Sequence, residues 1–389
     1  MKRLEEDLTE SVVGGGEKPL IVHVVRQFLP NRGGLEDVVN NLCQQALRRG
    51  FRIRVVTLNS LFSDPARVLA ARETIDGIDV VRIPWKGSSR YPIAPSVLDH
   101  IRDADLVHVH AVDFFFDFLA LTRMLHGKPM IATTHGGFFH TRRFAAIKAV
   151  WFQTLTRFSS SRYRHLVGCS LSDVETFQPI AGKNLCLIEN GADTQKFRDL
   201  AAKIPVKRMI SIGRFSSNKR LDRLVAAVRA LVAIDPEWSI DIVGMPSDLT
   251  VADVEAYAKG IEAHVRVHAG LINSDVSRLI SESSLFISAS EYEGFGLVAI
   301  EAMSAGLLPV LQSNSAYAAL AAKHRLIQLG DFPVAQTGAE AILHAWKILQ
   351  SDPVRIRAVL IDDAQSYSWT EVAERYIRLY RDMLAHKAS

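Results

Sequence analysis

The chain reads as an α/β protein built from two doubly wound, Rossmann-like domains with a C-terminal helix. Three observations carry that reading. At 389 residues it is long enough for two domains. Short apolar strand-like runs alternate with amphipathic helical patterns, and the alternation occurs twice, which implies two parallel sheets. Several of the strand-like runs end in a glycine turn that leads into a helix, the place where open parallel sheets carry their ligands.

The first eighteen residues, MKRLEEDLTESVVGGGEK, hold too many acids and no apolar segment, which excludes a signal or transit peptide. They read as a disordered lead-in that ends at Pro19. PLIVHVVRQF is the first strand, and Leu35–Gly50 follows with helical periodicity and Gly50 as a C-terminal stop. FRIRVVTL, DVVRIPW, DLVHVHA and PMIATTH are further strands, and residues 19–203 make the first domain. The boundary falls near Lys203–Pro205, between a charged stretch and a new strand. KRMISIGRF, WSIDIVG, VRVHAG, SLFISAS and LLPVLQ repeat the style over residues 204–366, separated by helical patterns such as LDRLVAAVRALVAI. Residues 367–389 form one amphipathic helix packing back on the first domain, with Ser368 and Glu371 spaced as a capping box.

Composition narrows the class. A 48% hydrophobic and 23% charged chain is an ordinary globular one. No apolar run reaches the roughly 18–20 residues that span a bilayer. Cys43, Cys169 and Cys186 have no metal or redox spacing, which suits a reducing cytoplasm. The net charge of +4 is unevenly placed, because no acidic residue occurs between Asp117 and Asp173. That gap holds Arg142, Arg143, Lys148 and Trp151 among other basic and aromatic residues. It suits an anionic membrane surface or a diphosphate-bearing lipid, with a solvated basic face as the plain alternative. No recognition motif accompanies it, so nucleic acid is disfavoured. No motif sets the oligomeric state.

EGFGLVAIE, Glu293–Glu301, carries the most chemistry. It follows the strand SLFISAS, turns at Gly294 and Gly296 around Phe295, and starts a helix at Leu297 that Gly306 closes. Free backbone N–H groups at such a turn bind anions. Carboxylates repel phosphate, so Glu293 and Glu301 read as holders of hydroxyls, and a ligand with both phosphates and hydroxyls is a nucleotide sugar. Their spacing puts Glu293 on the turn and Glu301 about one helical turn in, so they serve different ends of that ligand.

SIGRFSSNKR places Arg214 and Lys219 on one loop after a strand, a pair able to neutralise a diphosphate leaving group, or two surface cations beside a turn. In THGG, His135 ends a strand beside two glycines, where it hydrogen-bonds a ligand or serves as a structural histidine. His108 and His110 share a strand face but show no third ligand at metal spacing. Gly33 and Gly34 form another turn before a helix; the pattern is not GxGxxG, so a nicotinamide or flavin fingerprint is absent. Asp103-Ala104-Asp105 precedes its strand and is discounted as a metal motif. A P-loop is absent, and a glycosidase reading of the two glutamates leaves Arg214, Lys219 and the glycine turns idle.

THGG, IENGADTQKF, GRFSSNK and EGFGLVAIE, in this order and spacing, resemble the retaining glycosyltransferases of family 4 from about Pro19 to Met383. The resemblance implies the GT-B fold, two Rossmann-like domains facing across a cleft, the first for the acceptor and the second for the nucleotide sugar. SSRYPIAPSVL, HGKPM, THGGFFHT, WFQTLTR and EAMSAGL are similar to the GDP-mannose-dependent α-mannosyltransferases of exopolysaccharide assembly. They imply GDP-mannose as donor, a lipid-linked glycan acceptor (cellobiosyl-diphosphopolyprenol), and work at the cytoplasmic face of the inner membrane. By the same resemblance Glu293 binds hydroxyls of the donor sugar, the backbone of Gly294, Phe295, Gly296 and Leu297 the diphosphate, and Glu301 the ribose. Arg214 and Lys219 contact the diphosphate, His135 sits by the transferred sugar, and Gly33-Gly34 approach the phosphates from the other domain. Backbone groups at Leu271 and Ile272 are placed at the base. The resemblance implies no cofactor and no metal. Two positions depart from the pattern: Arg220 replaces a common glycine, and GMPSD lacks a second glycine. A lipopolysaccharide-core mannosyl- or glucosyltransferase is the competing enzyme reading. An inactive sugar-nucleotide-binding or membrane-scaffolding protein is the non-enzyme one, against which the intact Glu293, Glu301, Arg214 and Lys219 set argues.

Overall fold

The computed structural model describes residues 17–135 and 150–385. The lead-in before Glu17, the two glycines of THGG, and Arg142, Arg143 and Lys148 lie outside the described residues.

The chain divides into two compact units, one running to Ile188 and resuming at Ala373, the other Glu189–Val372. The division falls earlier than the Lys203–Pro205 boundary read from the sequence, and the hydrogen bonds show why. Asp199 N–H donates to Ser304 O at 2.9 Å, Ala201 N–H to Ala305 O at 2.8 Å and Ala202 N–H to Ser283 O at 3.0 Å. Arg357, largely buried, donates to the carbonyls of Ala201 and Ala202 at 2.8 and 2.7 Å. The charged stretch is therefore the edge strap of the second unit rather than a linker.

The first unit holds an eight-stranded sheet. Its strands are β1 (Leu20–Val24), β2 (Arg52–Leu58), β3 (Arg72–Ile75), β4 (Ile78–Ile83), β5 (Leu106–His110), β6 (Met130–Thr133), β7 (His165–Gly168) and β8 (Leu185–Leu187). Their order is β8-β7-β6-β5-β1-β2-β4-β3, parallel except for the edge hairpin β3/β4. The sequence reading found the apolar inner strands and missed β3, β7 and β8, whose short or exposed segments carry no clear alternation. Helix α1 (Gly34–Arg48) packs on β2, and Gly50 just beyond it takes φ +86°, the left-handed stop expected of glycine. Asp103 is spent on Arg54 at 2.7 Å and Asp105 accepts from Leu20 N–H at 2.9 Å, so the DAD triplet anchors the sheet.

The second unit holds a six-stranded, wholly parallel sheet. Its strands are β9 (Arg208–Ile212), β10 (Ser239–Gly244), β11 (Val265–Ala269), β12 (Leu285–Ser288), β13 (Leu308–Gln312) and β14 (Gln328–Gly330), in the order β11-β10-β9-β12-β13-β14. The order reverses between β9 and β12, so the loops after those two strands meet at the switch point where such sheets bind ligands. Helices α2 (Leu221–Ile234) and α3 (Leu297–Ala305) follow those loops. Each unit has its own apolar core.

The last helix, α4 (Trp369–Ala385), returns to the first unit. Tyr380 OH lies 2.7 Å from His108 Nδ1, Tyr376 OH 3.2 Å from Thr133 Oγ1, and Arg49 pairs with Glu374 at 3.1 Å. Ser368 Oγ accepts from Glu371 N–H at 3.3 Å, but Ser368 N–H donates to Gln365 O, so one arm of the expected capping box forms.

Candidate functional site

Site residues of the second unit lie on the two switch-point loops. After β9 the chain runs through Gly213 and Arg214 to a short turn at Ser217–Lys219, then enters α2. After β12 it runs through Ser290 and Glu293 into α3. Asn218 ties the loops together: its Nδ2 donates to Tyr292 O at 2.8 Å, and its carbonyl accepts from Glu291 N–H at 2.9 Å. Neighbouring β10 ends at Gly244, where an added Cβ would lie 1.8 Å from Gly213 O, so only glycine permits that close approach. GMPSD then zips to the first loop through Phe215 N–H to Met245 O at 2.8 Å.

Lys219 Nζ donates to Glu293 Oε1 at 2.6 Å, with both side chains mostly buried. Tyr317 OH reaches the same oxygen at 3.2 Å and Ser288 Oγ at 3.0 Å. The structure thus joins two residues that the sequence reading assigned to separate ends of the ligand. Tyr317, Asn218, Ser288 and Ser290 were missed; as uncharged side chains they carry no signal of their own, and only the fold brings them in. Arg214 is exposed and, among the described residues, makes no ion pair. Arg214, Lys219, Ser288 and Ser290 line a common recess.

The turn before α3 is an anion cradle. Gly296 sits at φ +88°, and an added Cβ there would lie 2.8 Å from the Tyr317 ring. Among the described residues, the backbone N–H groups of Gly294, Phe295, Gly296 and Leu297 donate to no acceptor. They point out of a helix N-terminus whose first turn carries no acid. Glu301 lies in the second turn of α3. Burial pushes its carboxyl above the usual range against the pull of Lys196, and among the described residues no donor reaches its side chain.

Leu271 and Ile272 follow β11, one strand further out, and Ile272 is exposed. The Leu271 N–H and C=O make no hydrogen bond among the described residues, which leaves them free for a planar polar ligand. Arg220 takes φ +49° as it enters α2. That left-handed conformation explains why glycine is natural here; Arg220 offsets the strain by pairing with Asp222 at 2.7 Å.

In the first unit, His135 follows β6 at φ +54°, and its Nε2 lies 3.0 Å from His110 Nδ1. Burial lowers its pKa to about 4, so it is neutral at pH 7. The third histidine that the sequence reading did not find is His23, on the strand beside His108. At the Gly33-Gly34 turn, Glu36 folds back, accepts from Asn31 Nδ2 at 2.8 Å, and an added Cβ on Gly33 would lie 2.7 Å from its carboxylate. An acid in the first turn suits the positive end of the helix dipole. Trp151 packs edge-on against Tyr91 at 5.9 Å and is partly exposed.

Two doubly wound units, one with free backbone N–H groups at a helix N-terminus and a paired lysine and carboxylate at its switch point, fit a nucleotide-sugar glycosyltransferase fold. Known proteins agree. The family model "Glycosyl transferases group 1" matches residues 193–363, and "Glycosyltransferase Family 4" matches residues 32–196. A glycosyltransferase from Rickettsia africae superposes with a TM-score of 0.73 at 16% identity, over 95% of this chain and 99% of that one. A sucrose-phosphate synthase from Thermosynechococcus elongatus gives 0.69 at 17%, over 95% and 100%. The chain belongs to glycosyltransferase family 4, with the GT-B fold. Within the family it is similar end to end to two GDP-mannose:cellobiosyl-diphosphopolyprenol alpha-mannosyltransferases. That of Komagataeibacter xylinus is 42% identical over 95% of each chain. That of Xanthomonas campestris is 39% identical over 94% of this chain and 97% of the relative.

Proposed function

We propose that the protein transfers mannose from GDP-mannose to a lipid-linked acceptor, cellobiosyl-diphosphopolyprenol, with retention of configuration and without a metal. The observation that carries this is the cradle Glu293–Leu297 with Lys219 beside it, in a chain that matches two such enzymes along nearly its whole length. The cradle N–H groups, Lys219 and Arg214 take the diphosphate; Glu293 and Tyr317 take hydroxyls of the mannose; Glu301 takes the ribose. The bond between mannose C1 and the diphosphate oxygen breaks as C1 bonds the acceptor hydroxyl on the same face. The acceptor proton passes to the departing diphosphate. Lys219 is the group that stabilises the charge gathering there, and it leaves Glu293 for the phosphate as that charge grows.

No described helix is long and apolar enough to cross a membrane. Met124, Leu125, Val150, Trp151 and Phe158 are exposed apolar residues in the stretch that also carries Arg123, Arg157 and Arg162. This composition supports peripheral binding to an anionic leaflet, where a lipid-linked acceptor resides. The protein should sediment with anionic vesicles and be released by salt; equal binding to neutral vesicles removes the electrostatic part. For the donor, GDP-mannose should raise the unfolding temperature and UDP-glucose should not. The reverse order would replace mannose as the sugar.

A further inference from the structure

A chain of three histidines ends on His135. His23 Nδ1 lies 2.9 Å from His110 Nε2, and His110 Nδ1 lies 3.0 Å from His135 Nε2. His23 and His110 have no exposed surface. His108 packs on His110 with centroids 4.1 Å apart but stands outside the chain, both its nitrogens being taken by Tyr380 and Thr133 at 2.7 and 2.8 Å. His23, His108 and His110 bring ligand-type atoms within 4.8 Å of one another. A cation there would have to break those hydrogen bonds, so hydrogen bonding is the arrangement the geometry favours.

Burial holds all three members of the chain well below the usual histidine range, so each carries one ring proton at neutral pH. A neutral imidazole donates from one nitrogen and accepts at the other. The chain therefore has two polarities. If His135 donates from Nε2, the protons run inward and His23 Nε2 carries one. If His23 donates from Nδ1, they run outward and His23 Nε2 is a bare lone pair. That nitrogen is buried and has no partner. A buried N–H without an acceptor is rarer and costlier than an unfilled lone pair, so the outward polarity wins. His135 Nε2 then accepts, and its remaining proton sits on Nδ1, which has no partner among the described residues.

We infer that His110, backed by His23, is a positioning residue that fixes His135 as a neutral hydrogen-bond donor through Nδ1, open to an oxygen of a bound substrate, and not a base that collects a proton. Its effect on turnover rests on the transfer proposed above.

Two-bond proton–nitrogen correlation spectra of the full chain, labelled at histidine, read the tautomer without any substrate. The His135 signal is assigned by its loss in His135→Gln. The wild type should show the Nδ1–H form. His110→Leu should return His135 to the Nε2–H form preferred in free solution, while His110→Gln, whose amide can donate to Nε2, should hold it. In turnover, His110→Leu should lower kcat/KM for the donor about fivefold, the worth of one neutral hydrogen bond, and His110→Gln should recover most of it. An Nε2–H His135 in the wild type overturns the inference whatever sugar is transferred, and needs no variant to fold. A folded His110→Leu with tautomer and kcat/KM unchanged overturns the positioning role. Failure of mannose transfer alongside an Nδ1–H His135 overturns the substrate reading instead.

Discussion

Lys219 holds Glu293 at 2.6 Å, at the turn proposed to take the diphosphate. A cation so placed has its greatest effect on charge that develops late, when the diphosphate departs. Lys219→Ala should therefore cost about 2–4 kcal/mol of transition-state stabilisation, read mainly in kcat, as loss of an oxyanion donor does. An unchanged kcat would leave Lys219 a structural partner of Glu293 and nothing more. Glycine and charge patterns made Arg214, Lys219, Glu293 and Glu301 legible in the sequence. The Lys219–Glu293 pair and its Tyr317 neighbour were not legible, because 74 and 24 residues separate the partners and only the strand order closes the gap. At the Gly33-Gly34 turn the sequence shows the glycines, but not that Glu36 turns back over them.

The short helix α3 is the element on which the donor reading depends. Its amphipathic pattern is weak because it is apolar on nearly every face, yet its ends are sharply written by Gly296 and Gly306, both at positive φ. Gly296→Ala should destabilise the protein by about 1–3 kcal/mol, since the methyl meets the Tyr317 ring at 2.8 Å and the backbone must hold a left-handed conformation. Urea unfolding measures this, and a neutral result would mean the turn can rearrange. The same change should weaken diphosphate binding, because the free N–H groups of the cradle depend on that turn. The strand-glycine-helix punctuation made α3 readable in advance. The edge strand β3 was unreadable, since Arg72, Glu73 and Thr74 are all exposed and no buried face imposes alternation.

At the scale of the whole molecule, the doubled strand–helix alternation made both sheets legible, while the division between units was not. The sequence places residues 189–203 in the first domain, but backbone bonds from Asp199, Ala201 and Ala202 to Ser304, Ala305 and Ser283 fold them into the second unit. The buried histidines set a stability limit on the first unit. With folded values pushed below about 6.5 (to about 3 for His23), the unfolded chain binds more protons on acidification, so stability is full above pH 6.5 and falls below it. His23 alone contributes a loss of about 1.4 kcal/mol by pH 5.5, and His108 and His110 act in the same direction. The unfolding temperature should drop steeply between pH 6.5 and 5, above the range where carboxylate ion pairs fail; a flat profile there would contradict the neutral cluster. The central claim, that this chain is a GDP-mannose-dependent transferase with a lipid acceptor, is tested most directly by turnover. Purified protein is given radiolabelled GDP-mannose, UDP-glucose and UDP-galactose in turn, with cellobiosyl-diphosphopolyprenol in anionic vesicles and a chelator present. Label should enter the lipid phase from GDP-mannose alone, with an α-linked product and GDP released in equal amount. Label from UDP-glucose and none from GDP-mannose would contradict it.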